Sequence, residues 1–204
     1  GLLLPLPPAI GALPNLQTLD LHGNGISGSL PAELGNLRNL RWLALHSNRF
    51  SGWLPPNLGS MVKLEALELA NNQLSGPLPG ELAYLQRLQR LYLSHNQLSG
   101  PLPDWLGSLG NLEQGWLGYN QFSSAIPNSL GSLAKLRHLS LAHNQLNGPL
   151  PDGLGALSRL DSLYLSENQL SGALPAWFNG LPALRILFLD HNQLRGPMPP
   201  TWSG

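Results

Sequence analysis

The apolar positions of this chain return every 24 residues. One unit places them at Leu64, Leu67, Leu69, Leu74, Leu78, Leu82 and Leu85, with Asn72 between the third and fourth. The same frame runs from end to end without an insertion or deletion, marked by Asn24, Asn48, Asn72, Asn96, Asn120, Asn144, Asn168 and Asn192. A unit this short cannot bury its own leucines, so each must borrow a neighbour's face, and the chain is expected to be a stack. The predicted fold class is an α/β-type repeat solenoid of eight 24-residue repeats, whose function is read by columns across units.

Within a unit the rhythm changes. Leu91 and Leu93 alternate with Arg90, Tyr92 and Ser94, a period of two that predicts a short strand with the latter three facing outward. Successive strands then form one concave parallel β-sheet at about 4.8 Å per strand, roughly 35–40 Å long in all. Each Asn follows its strand, where its amide can satisfy backbone groups at a buried bend. The second half, as in Leu98–Ser99–Gly100–Pro101–Leu102–Pro103 followed by Leu106, Gly107 and Leu109, predicts a short extended segment and a 3-10 turn. Because proline lacks a donor, this convex side is expected to be thin and irregular, with little sheet.

The unit resembles the plant-specific class of leucine-rich repeats, LxxLxxLxLxxNxLSGxLPxxLGxL. Its Leu-Ser-Gly-x-Leu-Pro half stands almost intact at Leu74 to Pro79, Leu98 to Pro103 and Leu170 to Pro175. The resemblance covers nearly the whole chain and implies a right-handed superhelix. Receptor kinase ectodomains, polygalacturonase-inhibiting proteins and bacterial effectors with plant-like repeats share this pattern, and the resemblance implies ligand recognition along the concave face. Plant ectodomains of the class usually carry cap cysteines and many N-glycosylation sequons, whereas this sequence has no Cys and no Asn-x-Ser/Thr. A secreted bacterial protein or effector is therefore the expected source rather than a plant extracellular ectodomain. An engineered array fits the same absence.

Residues 1–204 read as one solenoid, with a partial first repeat over 1–15, repeats in register over 16–192 and a partial last repeat over 193–204. The apolar ends lack polar capping units, which predicts a fragment of a larger protein and homo-association through the uncapped ends. The alternative is that Leu2, Leu3 and Leu4 at one end and Trp202 at the other fold over the core as crude caps. Eleven Lys and Arg against eleven Asp and Glu give zero net charge, so no nucleic acid partner is expected. No segment is apolar for long enough to span a membrane. Without cysteine there is neither a disulfide nor a thiolate metal site.

The outward column before the last core leucine of each strand reads Asp20, Ala44, Glu68, Tyr92, Trp116, Ser140, Tyr164 and Phe188. Trp42, His138 and Ile186 flank it on one side, and Tyr119, His95, His143 and His191 on the other, predicting an aromatic and imidazole patch over repeats 4–8. Such side chains anchor interfaces; the competing reading is cross-strand packing that steadies the sheet. Repeat 5 departs from the frame at Gly115, Gly118 and Ser124. Trp116 either plugs the space left at Gly115 or is displayed, in which case Gly118 leaves room for a ligand to approach.

Other columns read as structural. Gln17, Arg41, Glu65, Gln89, Glu113, Arg137, Asp161 and Arg185 form a ladder of mostly opposite charges, and Gln73, Gln97, Gln121, Gln145, Gln169 and Gln193 a ladder expected to hydrogen-bond along itself. Trp53, Trp105 and Trp177 are expected to cover convex leucines. His22 and His46 share a column near Asp20, but no metal or other cofactor is expected. His95, His143 and His191 recur at every second repeat, about 10 Å apart, and read as a source of pH sensitivity.

No Ser, His and acid converge in a cleft this frame would create, so an enzyme is not expected. With Thr only at Thr18 and Thr201, a threonine array matched to an ice lattice is not expected either. The preferred function is a non-catalytic module binding a protein or peptide ligand through Trp42, Tyr92, Trp116, Tyr119, His138, His143, Tyr164, Arg185 and Phe188. The alternative is a structural spacer or engineered repeat scaffold.

Overall fold

A computed structural model describes residues 4–197. Leu2, Leu3, Met198, Pro199 and Trp202 lie outside them, while Leu4 is exposed and does not cover the core.

The strands alternate between two parallel sheets. The odd-numbered sheet holds β1 (Thr18–Asp20), β3 (Trp42–Ala44), β5 (Ala66–Glu68), β7 (Arg90–Tyr92), β9 (Gln114–Trp116), β11 (His138–Ser140), β13 (Ser162–Tyr164) and β15 (Ile186–Phe188), in that spatial order. The even-numbered sheet holds β2 (Ser27–Ser29), β4 (Arg49–Trp53), β6 (Gln73–Gly76), β8 (Gln97–Pro101), β10 (Gln121–Ala125), β12 (Gln145–Gly148), β14 (Gln169–Gly172) and β16 (Gln193–Leu194). Eight five-residue 3-10 helices complete the units among the described residues: η1 (Pro8–Ala12), η2 (Ala32–Asn36), η3 (Pro56–Ser60), η4 (Gly80–Tyr84), η5 (Asp104–Ser108), η6 (Asn128–Ser132), η7 (Asp152–Ala156) and η8 (Ala176–Gly180).

The even-numbered sheet corrects the expectation of an irregular far side. Proline does not prevent it, because Pro101 closes β8 and the remaining Leu-Pro pairs fall after the strands. The left-handed residues Gly52, Gly76, Gly100, Gly148 and Gly172 lie in or close these strands. Ser124 takes that conformation in repeat 5, with φ of 69°, although it carries a Cβ.

Leucines from both sheets and the 3-10 turns form one continuous core, in which Phe50 and Phe122 substitute for leucine in its column and are fully buried. The asparagine ladder holds the bend. The Asn48 amide donates to the carbonyls of Leu21 (2.9 Å), Leu45 (3.1 Å) and His46 (3.3 Å) and accepts from the backbone N–H of Asn24 (3.1 Å) and Ile26 (3.0 Å). Each such side chain therefore ties its own repeat to the preceding one.

Of three structural columns, the charge ladder forms in part and two differ from expectation. The charge ladder forms at Arg41–Glu65 (3.0 Å) and Arg185–Asp161 (3.5 Å). The glutamines are all exposed, and among the described residues none of their side chains hydrogen-bonds another, since water satisfies them as well. Trp105 and Trp177 pack on the core, whereas Trp53 is mostly exposed and its ring covers Gly76, where an added Cβ would come within 2.7 Å of it.

Candidate functional site

Strand register turns the sequence columns into walls. Tyr92 pairs with Trp116, Ser140 with both Trp116 and Tyr164, and Tyr164 with Phe188. Ser140 is small and buried, so the rings on either side meet above it. The Trp116 and Tyr164 centroids lie 5.7 Å apart, and those of Tyr164 and Phe188 5.3 Å apart. The Tyr92 hydroxyl donates to Gln114 Oε1, and burial pushes its pKa up.

A second wall stands on the residues that precede the ladder asparagines. Tyr119 is stacked between His95 at 4.1 Å and His143 at 4.0 Å. Asn71, His95, Tyr119, His143, Glu167 and His191 all take left-handed backbone conformations, with φ between 52° and 57°. The first described repeat has Gly23 there, at φ of 69°. Between the walls runs a floor of small residues, Ala70, Ser94, Ala142 and Ser166. Together they enclose a groove of about 890 Å³.

Repeat 5 resolves toward display. The space at Gly115 is closed by leucines, for a Cβ there would already lie 3.3 Å from Leu139 and 3.5 Å from Leu117. Trp116 stays on the concave face beside His138, at 6.4 Å between ring centroids. Gly118 does not leave the expected room for a ligand, because a Cβ there would meet Ser140 Oγ at 2.9 Å and the Ala142 carbonyl at 3.0 Å. Its neighbours already fill that space.

Of the residues singled out by sequence, Tyr92, Trp116, Tyr119, His143, Tyr164 and Phe188 line this groove. Trp42 does not; it lies outside, with the Arg90 guanidinium 5.8 Å from its ring centroid. His138 and Arg185 belong to a smaller depression with Arg137, Arg159 and Asp161, where His138 Nδ1 is 2.7 Å from Ser162 Oγ. The sequence reading missed the floor, together with Glu167 and Asp190. The available signal was the run of small outward residues at Ala70, Ser94, Gly118, Ala142 and Ser166.

The groove's C-terminal end is acidic. Asp190 accepts from the Ser166 hydroxyl and lies 2.9 Å from His191 Nδ1, and these contacts lower its pKa, with the Ser166 bond the stronger cause. His191 Nδ1 is also 3.5 Å from Glu167 Oε1; the bond to Asp190, then the charge of Glu167, raises the imidazole pKa. Outside the groove, in the first described repeats, His22 and His46 stack at 4.7 Å, and the His22 bond lowers the Asp20 pKa. Among the described residues no cluster of three or more His, Cys, Asp or Glu side chains could hold a metal ion.

The sequence model described as "Leucine-rich repeat region" matches residues 3–114, and those described as "Leucine rich repeat" and "Leucine Rich Repeat" match 150–194 and 135–157. No curated protein sequence matches the chain. The Arabidopsis receptor kinase HAESA, solved with the peptide hormone IDA and the co-receptor SERK1, is 38% identical with a TM-score of 0.90, covering 94% of this chain and 32% of its own. The ectodomain of GASSHO1/SCHENGEN3 from Arabidopsis thaliana, solved with CASPARIAN STRIP INTEGRITY FACTOR 2, is 35% identical with a TM-score of 0.84, over 96% of this chain and 26% of its own. A plant ice-binding protein is 31% identical with a TM-score of 0.84, over 95% of this chain and 63% of its own. The chain thus spans 26% and 32% of the two receptor chains. With its 24-residue frame, paired parallel sheets and asparagine ladder, the chain belongs to the leucine-rich repeat family.

Proposed function

We propose that this chain is a non-catalytic recognition module that binds a peptide, or an extended segment of a protein, in the concave groove of repeats 4–8. The observation that carries the reading is the groove itself: an aromatic wall, an imidazole and tyrosine wall, and a floor of small residues between them. Rigid rings displayed in a concavity supply large contact area at little entropic cost, which is how interface anchors work. The similar receptor kinase HAESA was solved with a peptide hormone, which supports this class of partner. The similarity to an ice-binding protein does not redirect the reading, because the groove's columns mix residue types and present no repeating lattice.

Replacing Trp116 and Tyr164 together with Ala tests the proposal. A partner captured from host-cell or extracellular extract by the wild-type chain is expected to be lost by the variant, while circular dichroism and the melting transition show both folded. Unchanged capture would place the contact elsewhere. No partner from either extract would favour the spacer or scaffold reading.

A further inference from the structure

The groove is acidic. Glu167 and Asp190 line its C-terminal end, and none of the described lining residues is Lys or Arg. At the other end the strand partner of Tyr92 is Glu68, a nearly buried carboxylate with His46 Nε2 3.9 Å away. Arg90, two residues from Tyr92, holds its guanidinium 5.8 Å from the Trp42 ring centroid, and its charge still reaches the Tyr92 hydroxyl.

The carboxylates of Glu167 and Asp190 come from adjacent repeats yet converge on one point. His191 Nδ1 lies 2.9 Å from Asp190 Oδ2 and 3.5 Å from Glu167 Oε1, so the chain's own imidazole faces both, and a ligand cation shares with it two carboxylates that remain 58% and 43% exposed. The rings of Tyr164 and Phe188 line the groove beside them. Aromatic faces next to paired carboxylates favour a cation by two routes at once, the ring quadrupole and direct charge pairing.

We infer that the groove takes an extended peptide carrying a basic side chain, with its ammonium or guanidinium group held by Glu167 and Asp190 against the rings of Tyr164 and Phe188. This rests on the peptide-binding reading above and adds the ligand's charge and placement. From Tyr92 to Phe188 the wall spans four strand spacings, about 19 Å, the length of about six extended residues.

Phage-displayed random dodecapeptides selected on the wild-type chain provide the test, with the best binders resynthesised and titrated. Lys or Arg should be enriched over Asp and Glu at one position of the selected peptides. Replacing that residue with norleucine should weaken binding about tenfold or more to wild type. In the Glu167→Gln/Asp190→Asn variant, confirmed folded by its melting transition, the same replacement should change little. Selected peptides with no basic preference, or an undiminished effect of norleucine in the variant, would overturn the inference. If the Trp116→Ala/Tyr164→Ala variant releases such peptides, the peptide-binding reading survives alone. If no dodecapeptide is enriched, as for a groove that takes an oligosaccharide, both readings fail.

Discussion

Asn120 sits at the centre of the ladder, buried, with its amide donating to the carbonyls of Leu93, Leu117 and Gly118 and accepting from the Leu98 backbone N–H. Removing it strands several backbone groups that no water reaches. Asn120→Ala is therefore expected to cost about 3–5 kcal/mol, since each buried unsatisfied group costs about 1–3 kcal/mol. Asn24→Ala should cost far less, because Asn24 is exposed. Urea denaturation of the two variants measures the contrast; equal losses would remove burial as the reason for the ladder. His191 and Asp190 give a pH signature of opposite slopes. The raised imidazole pKa contributes stability that is complete below the ordinary value of 6.5 and is lost as pH rises through the folded value. The lowered Asp190 pKa contributes stability above its ordinary 3.8 that is lost as pH falls through the folded value. The melting-temperature difference between wild type and His191→Gln should thus be largest between these two ordinary values and shrink on either side. A difference that grows with alkalinity would contradict the contacts.

Among elements, most of the 3-10 turns pack backbone to backbone at their glycines. A Cβ on Gly59 in η3 would lie 2.2 Å from the Glu81 carbonyl oxygen in η4, and Gly35, Gly107 and Gly131 meet the next turn at the same distance. Backbone cannot yield as a side chain does. Gly59→Ala should cost about 1–3 kcal/mol in a chemical denaturation series, the usual range for overpacking. A neutral result would mean that the turns slide apart freely. Ala83 already occupies this column in η4, and the packing of η4 on η5 is looser there. The odd-numbered sheet was legible because Leu91 and Leu93 alternate with polar and aromatic neighbours and one face is buried. The even-numbered sheet was not, because prolines and glycines beside it read as breakers, and only strand ends at residues such as Pro101 show them tolerated. The groove's aromatic wall was legible for the same reason as the first sheet. Its floor was not, since Ala70 and Ser166 carry no chemistry of their own, and neither was the left-handed wall, whose glycine signal survives only at Gly23.

For the whole molecule, contact between neighbours alone makes the stack divisible. Excising residues 49–72, one complete period, should leave a folded chain whose groove is intact, because every lining residue except Ala70 and Asn71 lies beyond the cut. The denaturant m-value should fall by about one-eighth, in proportion to the surface exposed on unfolding. Excising 121–144 should also fold yet lose whatever the groove binds, because Ser140, Ala142 and His143 go with it. Circular dichroism and titration with a selected ligand separate the two outcomes. Collapse of both variants would mean that cooperativity extends beyond adjacent units.

The asparagines also give the stack a direction. Asn192 reaches back to the Leu165 carbonyl and the Leu170 N–H, and Asn48, Asn72, Asn96, Asn120, Asn144 and Asn168 likewise bond backbone in the preceding repeat. A newly synthesised repeat emerging from the ribosome therefore seals polar groups left open in the one made before it. The two edges of the stack are thus chemically unlike, one offering open backbone groups and the other the amides that close them.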